Sequence, residues 1–264
     1  MRRVTPKVFL VGQTQIESEG MEGYLAHVGV PDWLTEQVEK DPERSDCETL
    51  SEFMGRLCYR SWKPGMNANV TKIREGNDVY LDNVLKVKHG SVIEHAVTNW
   101  VFADVSRVFT HELVRHRAGC AYSQESLRFV RLTDLGLWLP PEAENNSTLR
   151  DLFEKTFKDL EEIQKYLSKN LGLDDEGVQF KEKKIQTSLM RRLAPLGLAT
   201  TIGASFNFRT LRHVLQMRTD AGAEVEIRLV MDQVASIAKQ RWPNIMGDFE
   251  RQADGAWKPR YEKV

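Results

Sequence analysis

The chain has 264 residues, 41% of them hydrophobic, with 37 lysines and arginines against 38 aspartates and glutamates and a formal net charge of −1. That supplies one substantial core or two small ones, and it leaves no bulk electrostatic drive onto nucleic acid or a membrane, so neither is an expected partner. Cys47, Cys58 and Cys120 form no CxxC pair, which argues against a disulfide framework or zinc ribbon and fits a reducing, cytoplasmic setting. The first residues lack the apolar run of a signal peptide, and the most apolar stretch, 193–208, is interrupted by Gly, Thr, Ser and Asn.

Lys7 to Val11 reads as an opening strand ended by Gly12, and the glycines and prolines up to Pro42 predict loops and short helices. Ser45 and Glu48 have capping-box spacing for a helix with Leu50, Phe53, Met54, Leu57 and Cys58 on one face; Arg56 and Arg60 fall outside that stripe and read as surface. Asn77 is placed to cap a second helix, with Val79, Leu81, Val84 and Leu85 inward and His89-Gly90 at its end. Residues 96–103 read as a strand with Trp100 and Phe102 on one face. Ser106 then opens a helix running to Arg115, which Gly119 is placed to end.

Further on, Leu127 to Leu132 reads as a strand and Pro140-Pro141 opens a polar loop. Ser147 to Asn170 is a long amphipathic helix, structural or interfacial, with Leu149, Leu152, Phe153, Phe157, Leu160, Ile163 and Leu167 as its apolar stripe. Val178 to Leu193 is a helix stopped before Pro195. Residues 197–206 form a strand, 208–217 a short helix and 223–240 a long one. A single mixed domain over 1–264 suits this order. It is of α+β class, with a central, largely antiparallel sheet flanked by helices.

The chemistry concentrates in Arg115-His116-Arg117 and the polar residues that follow, closed by Arg128. Successive helical residues turn about 100°, so Arg115 and Arg117 point opposite ways unless the helix ends there. A helix end feeding a hydroxyl- and amide-rich loop between guanidinium groups suits a planar anion such as a nucleotide; a solvated basic helix end is the plainer alternative. Between Ser188 and Arg218 stand Arg191, Arg192, Arg209, Arg212 and Arg218, with no lysine and no acidic residue, a pattern of geometric anion recognition. Arg218 has no carboxylate partner in its own turn, which makes it a ligand candidate, whereas Glu224 and Arg228 have the spacing of an ordinary helix pair.

Other chemistries fit poorly. His111 and His116 are five apart, with Arg115 where a zinc helix needs its second ligand, so no metal is expected. Cys120 beside His116 lacks a third group to orient the histidine. No GxGxxG or GxxxxGKS loop is present.

These pieces, in this order, resemble the flavin-dependent thymidylate synthases. The family signature is Arg-His-Arg, seven residues, then Ser-x-Arg; here Arg115-His116-Arg117 precedes Ser126 and Arg128 with one residue inserted. The run His89 to His95 resembles the family's upstream flavin-contacting segment, Met190 to Pro195 its arginine-to-proline segment, and Asn207-Phe208-Arg209 through His213 to Arg218 its substrate-activating block. The likeness spans roughly residues 45–245. Glu112 and Glu224 stand where many members have Gln, and Gly222 where His is frequent. Glu112 raises an altered base or sugar preference, and Gly222 removes one flavin contact.

The resemblance implies reductive methylation of dUMP at C5, with methylenetetrahydrofolate as carbon donor and NADPH-reduced FAD as hydride source. It implies a homotetramer with active sites shared between subunits and no covalent enzyme nucleophile. Arg218 would be catalytic. Glu112, Arg115, Gln124, Glu125, Ser126, Leu127, Arg128 and Arg191 would join it on dUMP. His89, Ser91, Glu94, Arg115, His116, Arg117, Gln124, Asn207, Arg209 and His213 would hold FAD. The rival readings are a flavin enzyme modifying another pyrimidine nucleotide such as UMP, and a non-catalytic nucleotide- or RNA-binding protein.

Overall fold

The computed structural model describes residues 1–128 and 132–264. Strands β1 (Arg2–Arg3) and β2 (Lys7–Gln13) precede helices α1 (Ser18–His27), α2 (Trp33–Lys40), α3 (Asp46–Tyr59) and α4 (Asn77–Lys86). A 3-10 turn over Gly90–Glu94 leads to β3 (Val97–Ser106), α5 (Arg107–Leu113), β4 (Cys120–Gln124), β5 (Gly136–Leu137) and α6 (Pro141–Glu144). Then come α7 (Ser147–Asn170), α8 (Phe180–Met190), a 3-10 turn over Arg191–Leu193, β6 (Ala199–Asn207) and α9 (Phe208–Arg218). The chain closes with α10 (Val225–Arg241), α11 (Pro243–Met246) and the pair β7 (Phe249–Arg251) and β8 (Trp257–Pro259).

The main sheet has the order β2-β3-β6-β4, and every pairing in it is antiparallel. Its central strands alternate by the period of two that an extended chain imposes. Trp100 and Phe102 on β3 and Ile202, Ala204 and Phe206 on β6 are buried together, against the apolar faces of α9 and α10. Each such large side chain contributes about 1.5–3 kcal/mol on burial. The other face stays open: Phe9 and Val11 are exposed, and Asn99 accepts a 2.6 Å hydrogen bond from Ser205. Smaller apolar clusters lie under α7 (Leu135, Leu137, Phe157) and between α2 and α3 (Trp33, Phe53, Trp62).

Several expectations need correction. Gly12 does not end β2; the strand passes through it, with a register shift between Leu10 and Gly12. Asn77 is the first residue of α4 rather than its cap, its side chain donating to the Glu48 carbonyl and the Glu52 carboxylate, and Val79 faces outward. Leu57 and Cys58 at the end of α3 are also exposed. Arg56 is the opposite of a surface residue, 2% exposed and paired with buried Glu52. Helix α5 stops at Leu113, six residues before Gly119, and 120–124 is a strand rather than a loop. The polar loop at Pro140-Pro141 contains the short α6. Leu127 and Arg128 form a turn, and the remainder of the strand expected there lies partly outside the described residues. Helix α7 has its expected bounds, but Leu152 and Phe153 are exposed and only Phe157 of its large apolar residues is fully covered.

Candidate active site

Ser106 starts α5 by accepting a hydrogen bond from the Phe109 amide. After Leu113 the chain reverses into β4, and Tyr122 holds the reversal: its hydroxyl lies 3.0 Å from the Leu113 carbonyl and 2.8 Å from that of His116. One hydroxyl proton serves these two acceptors in turn. Gly119 adopts φ +69°, and a Cβ there would collide with Thr210 and Asn207. The reversal is therefore pressed onto the start of α9, where Asn207 accepts from the Thr210 amide at 2.9 Å and Thr210 donates to the Ala118 carbonyl at 2.8 Å.

This packing brings Arg218, at the far end of α9, against α5. Its Nε donates to His116 Nε2 at 2.8 Å, Nη1 to the Glu112 carboxylate at 2.5 Å and Nη2 to the Glu112 carbonyl at 2.9 Å. The expectation concerned Arg218's own turn; the carboxylate that holds it, Glu112, lies 106 residues away in sequence. Among the described residues three of the five guanidinium N–H groups are engaged, which leaves one on each Nη for a ligand. The side chain is 12% exposed, enough to be reached. His116 accepts at Nε2 and is neutral, because burial first, and the nearby Arg218 cation second, lower its pKa to about 4. His213 meets the His116 ring edge-on, and Arg115 stays 69% exposed with Nη1 3.7 Å from Glu112. Arg117 is exposed beside them.

On another side of α5, His111 joins Arg107, Leu127, Arg191 and Arg192 around a cleft of about 580 Å³, with no acidic side chain among its described lining. Arg107 Nη1 is buried without a partner among the described residues. Burial, and then the adjacent Arg191 cation, disfavour the Arg107 charge. Sequence reasoning missed Arg107. The readable signal was an arginine in the first turn of a helix, where the macrodipole favours carboxylates.

The remaining candidates divide. Gln124 donates to Thr110 on α5 at 3.1 Å, and Glu125 accepts from the Thr201 amide at 2.9 Å, so both fasten β4 to its neighbours. Ser126 Oγ accepts from the Arg128 amide, and the Arg128 carbonyl accepts from Thr187 on α8. Glu94 and Arg209 pair at 2.6 Å, Arg209 also reaching the Val264 carbonyl at 3.0 Å. Near them Ser91 is exposed and His89 stacks on Tyr59. Arg209 and Arg218 are roughly 14 Å apart along α9 by helical rise. Arg212 leaves the candidate group, being buried and bound to Asp248, and Glu224 caps α10 while Arg228 turns to the Asp254 carbonyl. Burial raises the Cys120 thiol pKa, which keeps it a poor nucleophile.

Fold and site together set guanidinium groups on elements around an antiparallel sheet, Arg107 on α5, Arg191 in the turn after α8 and Arg218 on α9. Residues 42–244 match the thymidylate synthase complementing protein family, Thy1. The flavin-dependent thymidylate synthase of Corynebacterium diphtheriae is 33% identical over 213 residues, 80% of this chain and 82% of that protein. That of Mycobacteroides abscessus is 35% identical over 207 residues, 76% and 79% of the two chains. The chain belongs to the flavin-dependent thymidylate synthase family. Its fold is shared with Helicobacter pylori thymidylate synthase X, solved with FAD and dUMP (TM-score 0.54, 15% identity, 92% and 99% of the chains covered). It is shared too with the UMP/dUMP methylase PolB of Streptomyces cacaoi (TM-score 0.60, 14% identity, 94% and 95% covered).

Proposed function

We propose that the protein converts dUMP to dTMP, with methylenetetrahydrofolate as carbon donor, FAD as resident cofactor and NADPH as reductant. The equation balances as dUMP, methylenetetrahydrofolate, NADPH and a proton giving dTMP, tetrahydrofolate and NADP⁺. The observation that carries the reading is Arg218, a guanidinium fixed on three sides with two N–H groups left over. A uracil ring that loses its N3 proton places negative charge on its N3–carbonyl edge, and a preoriented cation stabilises that charge without reorganising. C5 is thereby made nucleophilic. Neutral His116 and the Glu112 carboxylate act as Arg218's holders.

The arginine cleft suits the nucleotide phosphate: Arg191 and Arg107 offer guanidinium donors with no competing carboxylate in the lining. Leu127, Ser126 and Arg128 would border the sugar, on a strand end that Gln124 and Glu125 hold in place. The donor set also fits FAD, since Arg115, Arg117 and His213 are exposed beside Arg218 while His89, Ser91, Glu94 and Arg209 gather toward the other end of α9. A dinucleotide is long enough to use both groups, with Asn207 between them. When bound, the reduced flavin supplies the hydride that completes the methyl group.

The UMP alternative loses its motive, because the Glu112 carboxylate is committed to Arg218. A homotetramer with shared sites is supported by the uncovered apolar residues of α7 and α8, among them Leu152, Phe153, Ile185 and Leu189, and by the open sheet face. A single domain over 1–264 is supported by the pairing of β1 with β5, which ties the first residues to the middle of the chain. No described helix is long and apolar enough to cross a membrane, in keeping with work in the cytoplasm. The test is direct: the purified protein should carry an oxidised-flavin absorbance and form dTMP from dUMP faster than it methylates UMP. Absence of flavin together with steeply salt-dependent RNA binding would overturn the reading in favour of a binding protein.

A further inference from the structure

The start of α5 is fixed by a buried carboxylate that none of the roles above uses. Glu226, in the first turn of α10, is 1% exposed; it accepts from the Ser106 amide at 2.7 Å and from the Ser106 hydroxyl. The two residues are 120 apart in sequence, so the contact joins the end of β3 to α10. Burial raises the Glu226 pKa, and the two bonds from Ser106 oppose that rise. The same hydroxyl accepts from the Phe109 amide at 3.2 Å, which makes Ser106 both the cap of α5 and the point where α10 grips it.

Ser106 immediately precedes Arg107, which lines the arginine cleft. The next two amides are fixed as well, Arg107 donating to the Leu198 carbonyl at 3.1 Å and Val108 to that of Leu196 at 3.2 Å. Leu196 and Leu198 follow closely on Arg191, so the backbone carrying one guanidinium is pinned to the backbone carrying the other. Arg107 needs such holding. Its Nη1 is buried without a partner among the described residues, and the like charge of Arg191 lies close enough to disfavour its own. Both effects cost energy until an anion arrives, and on a loose backbone the side chain would turn out to water instead. The Glu226 clamp opposes that escape, because a carboxylate accepting two hydrogen bonds in a buried setting is a strong fixture.

We propose that Glu226 is a positioning residue for nucleotide binding: through Ser106 it holds the Arg107 guanidinium ready for the substrate phosphate before the nucleotide arrives. The proposal rests on the phosphate role given to Arg107 above. Its test is a double-mutant cycle on the full-length protein, with dUMP affinity read by calorimetry and KM and kcat by steady-state turnover. Glu226→Gln keeps the side chain's size and one acceptor for the Ser106 amide but removes the charge; Ser106→Ala keeps the amide and removes the hydroxyl. Each should weaken dUMP binding and raise its KM about three- to tenfold, with kcat within about twofold and flavin content unchanged. In an Arg107→Ala background the same substitutions should change dUMP affinity less than about twofold, because the side chain they position is gone. Equal losses in both backgrounds overturn the proposal, since a bond that serves only the fold acts whether or not Arg107 is present. Unchanged affinity in both single variants overturns it too, as does failure of both to fold in a thermal melt. If Arg107→Ala alone leaves dUMP affinity unchanged, the phosphate reading fails and takes the proposal with it. If dUMP binds but no dTMP forms, the function fails, and the calorimetric cycle still decides the role of Glu226.

Discussion

Replacing Arg218 by lysine keeps one positive charge and removes the fork. The guanidinium reaches His116 through Nε at 2.8 Å and Glu112 through Nη1 and Nη2 at 2.5 and 2.9 Å. An ammonium is a single point with three donors. It cannot span a ring nitrogen, a carboxylate and a carbonyl and still aim a donor at the uracil edge. Loss of one donor directed at a developing anion costs about 2.7–4 kcal/mol, or roughly 10²–10³ in kcat. The stability cost is smaller, about 1 kcal/mol or less, because the Arg218 and Glu112 side chains are 12% and 28% exposed and water screens the pair. Release of tritium from C5-labelled dUMP measures turnover, flavin absorbance measures cofactor retention and a thermal melt checks the fold. Arg218→Lys should lose about a hundredfold or more in kcat with its flavin in place, and Arg218→Ala at least as much. Turnover within about twofold of the unaltered protein would refute anion stabilisation by Arg218, because the fork would then contribute too little to fit that magnitude. Loss of flavin in step with activity would instead make it a cofactor ligand.

Arg191→Ala and Arg107→Ala should each raise the KM for dUMP about ten- to a hundredfold with a smaller effect on kcat, as expected for one charged hydrogen bond to phosphate; steady-state titration with dUMP checks this, and an unchanged KM in both would remove the phosphate from the cleft. Arg56→Met leaves Glu52, which is fully buried, without its closest cation and should cost about 3–5 kcal/mol, lowering Tm by roughly 6–20 °C in a thermal melt. The depressed pKa of His116 couples stability to pH. The unfolded imidazole takes up a proton as pH falls below 6.5, whereas the folded one does so only near 4, so the contribution is complete above 6.5, declines between the two values and is gone below them. At partial burial, solvent screening reduces this contribution to about 1–2 kcal/mol. Urea midpoints at pH 7 and pH 4 should show that loss in the unaltered protein and not in His116→Gln; equal losses in both would assign it elsewhere.

Local signals read well from the sequence where one residue type has one geometric use. Ser45 and Glu48 form the capping box their spacing predicts, and Trp100 and Phe102 share the buried face that alternation predicts. Signals failed where a side chain's partner was distant. Arg56 looked like surface because its stripe is polar, yet it bonds the Ser61 and Arg74 carbonyls and is balanced by Glu52, so charge and burial coexist. The strand β4 looked like a loop because Tyr122 and Ser123 sit among polar residues, and its extended form comes from pairing with β6 some eighty residues later. Apolar periodicity placed α7 correctly but could not say what covers it.

The Arg115–Arg128 stretch shows why a site is harder to read than its motif. Its charges suggested that the arginines themselves act. In the fold, the stretch supplies geometry: Tyr122 holds the reversal, Gly119 lets it lie against α9, and His116, with Glu112 just ahead of the stretch, grips a guanidinium from another helix. Helix α5 is short enough that His111 borders the arginine cleft while Glu112, its neighbour, faces Arg218. Consecutive helical residues diverge by about 100°, so a single turn can serve two ligands. That divergence makes α5 the partition between the arginine cleft and the Arg218 centre. It follows that a substitution at His111 should act on nucleotide affinity and one at Glu112 on turnover, although the two are adjacent in sequence.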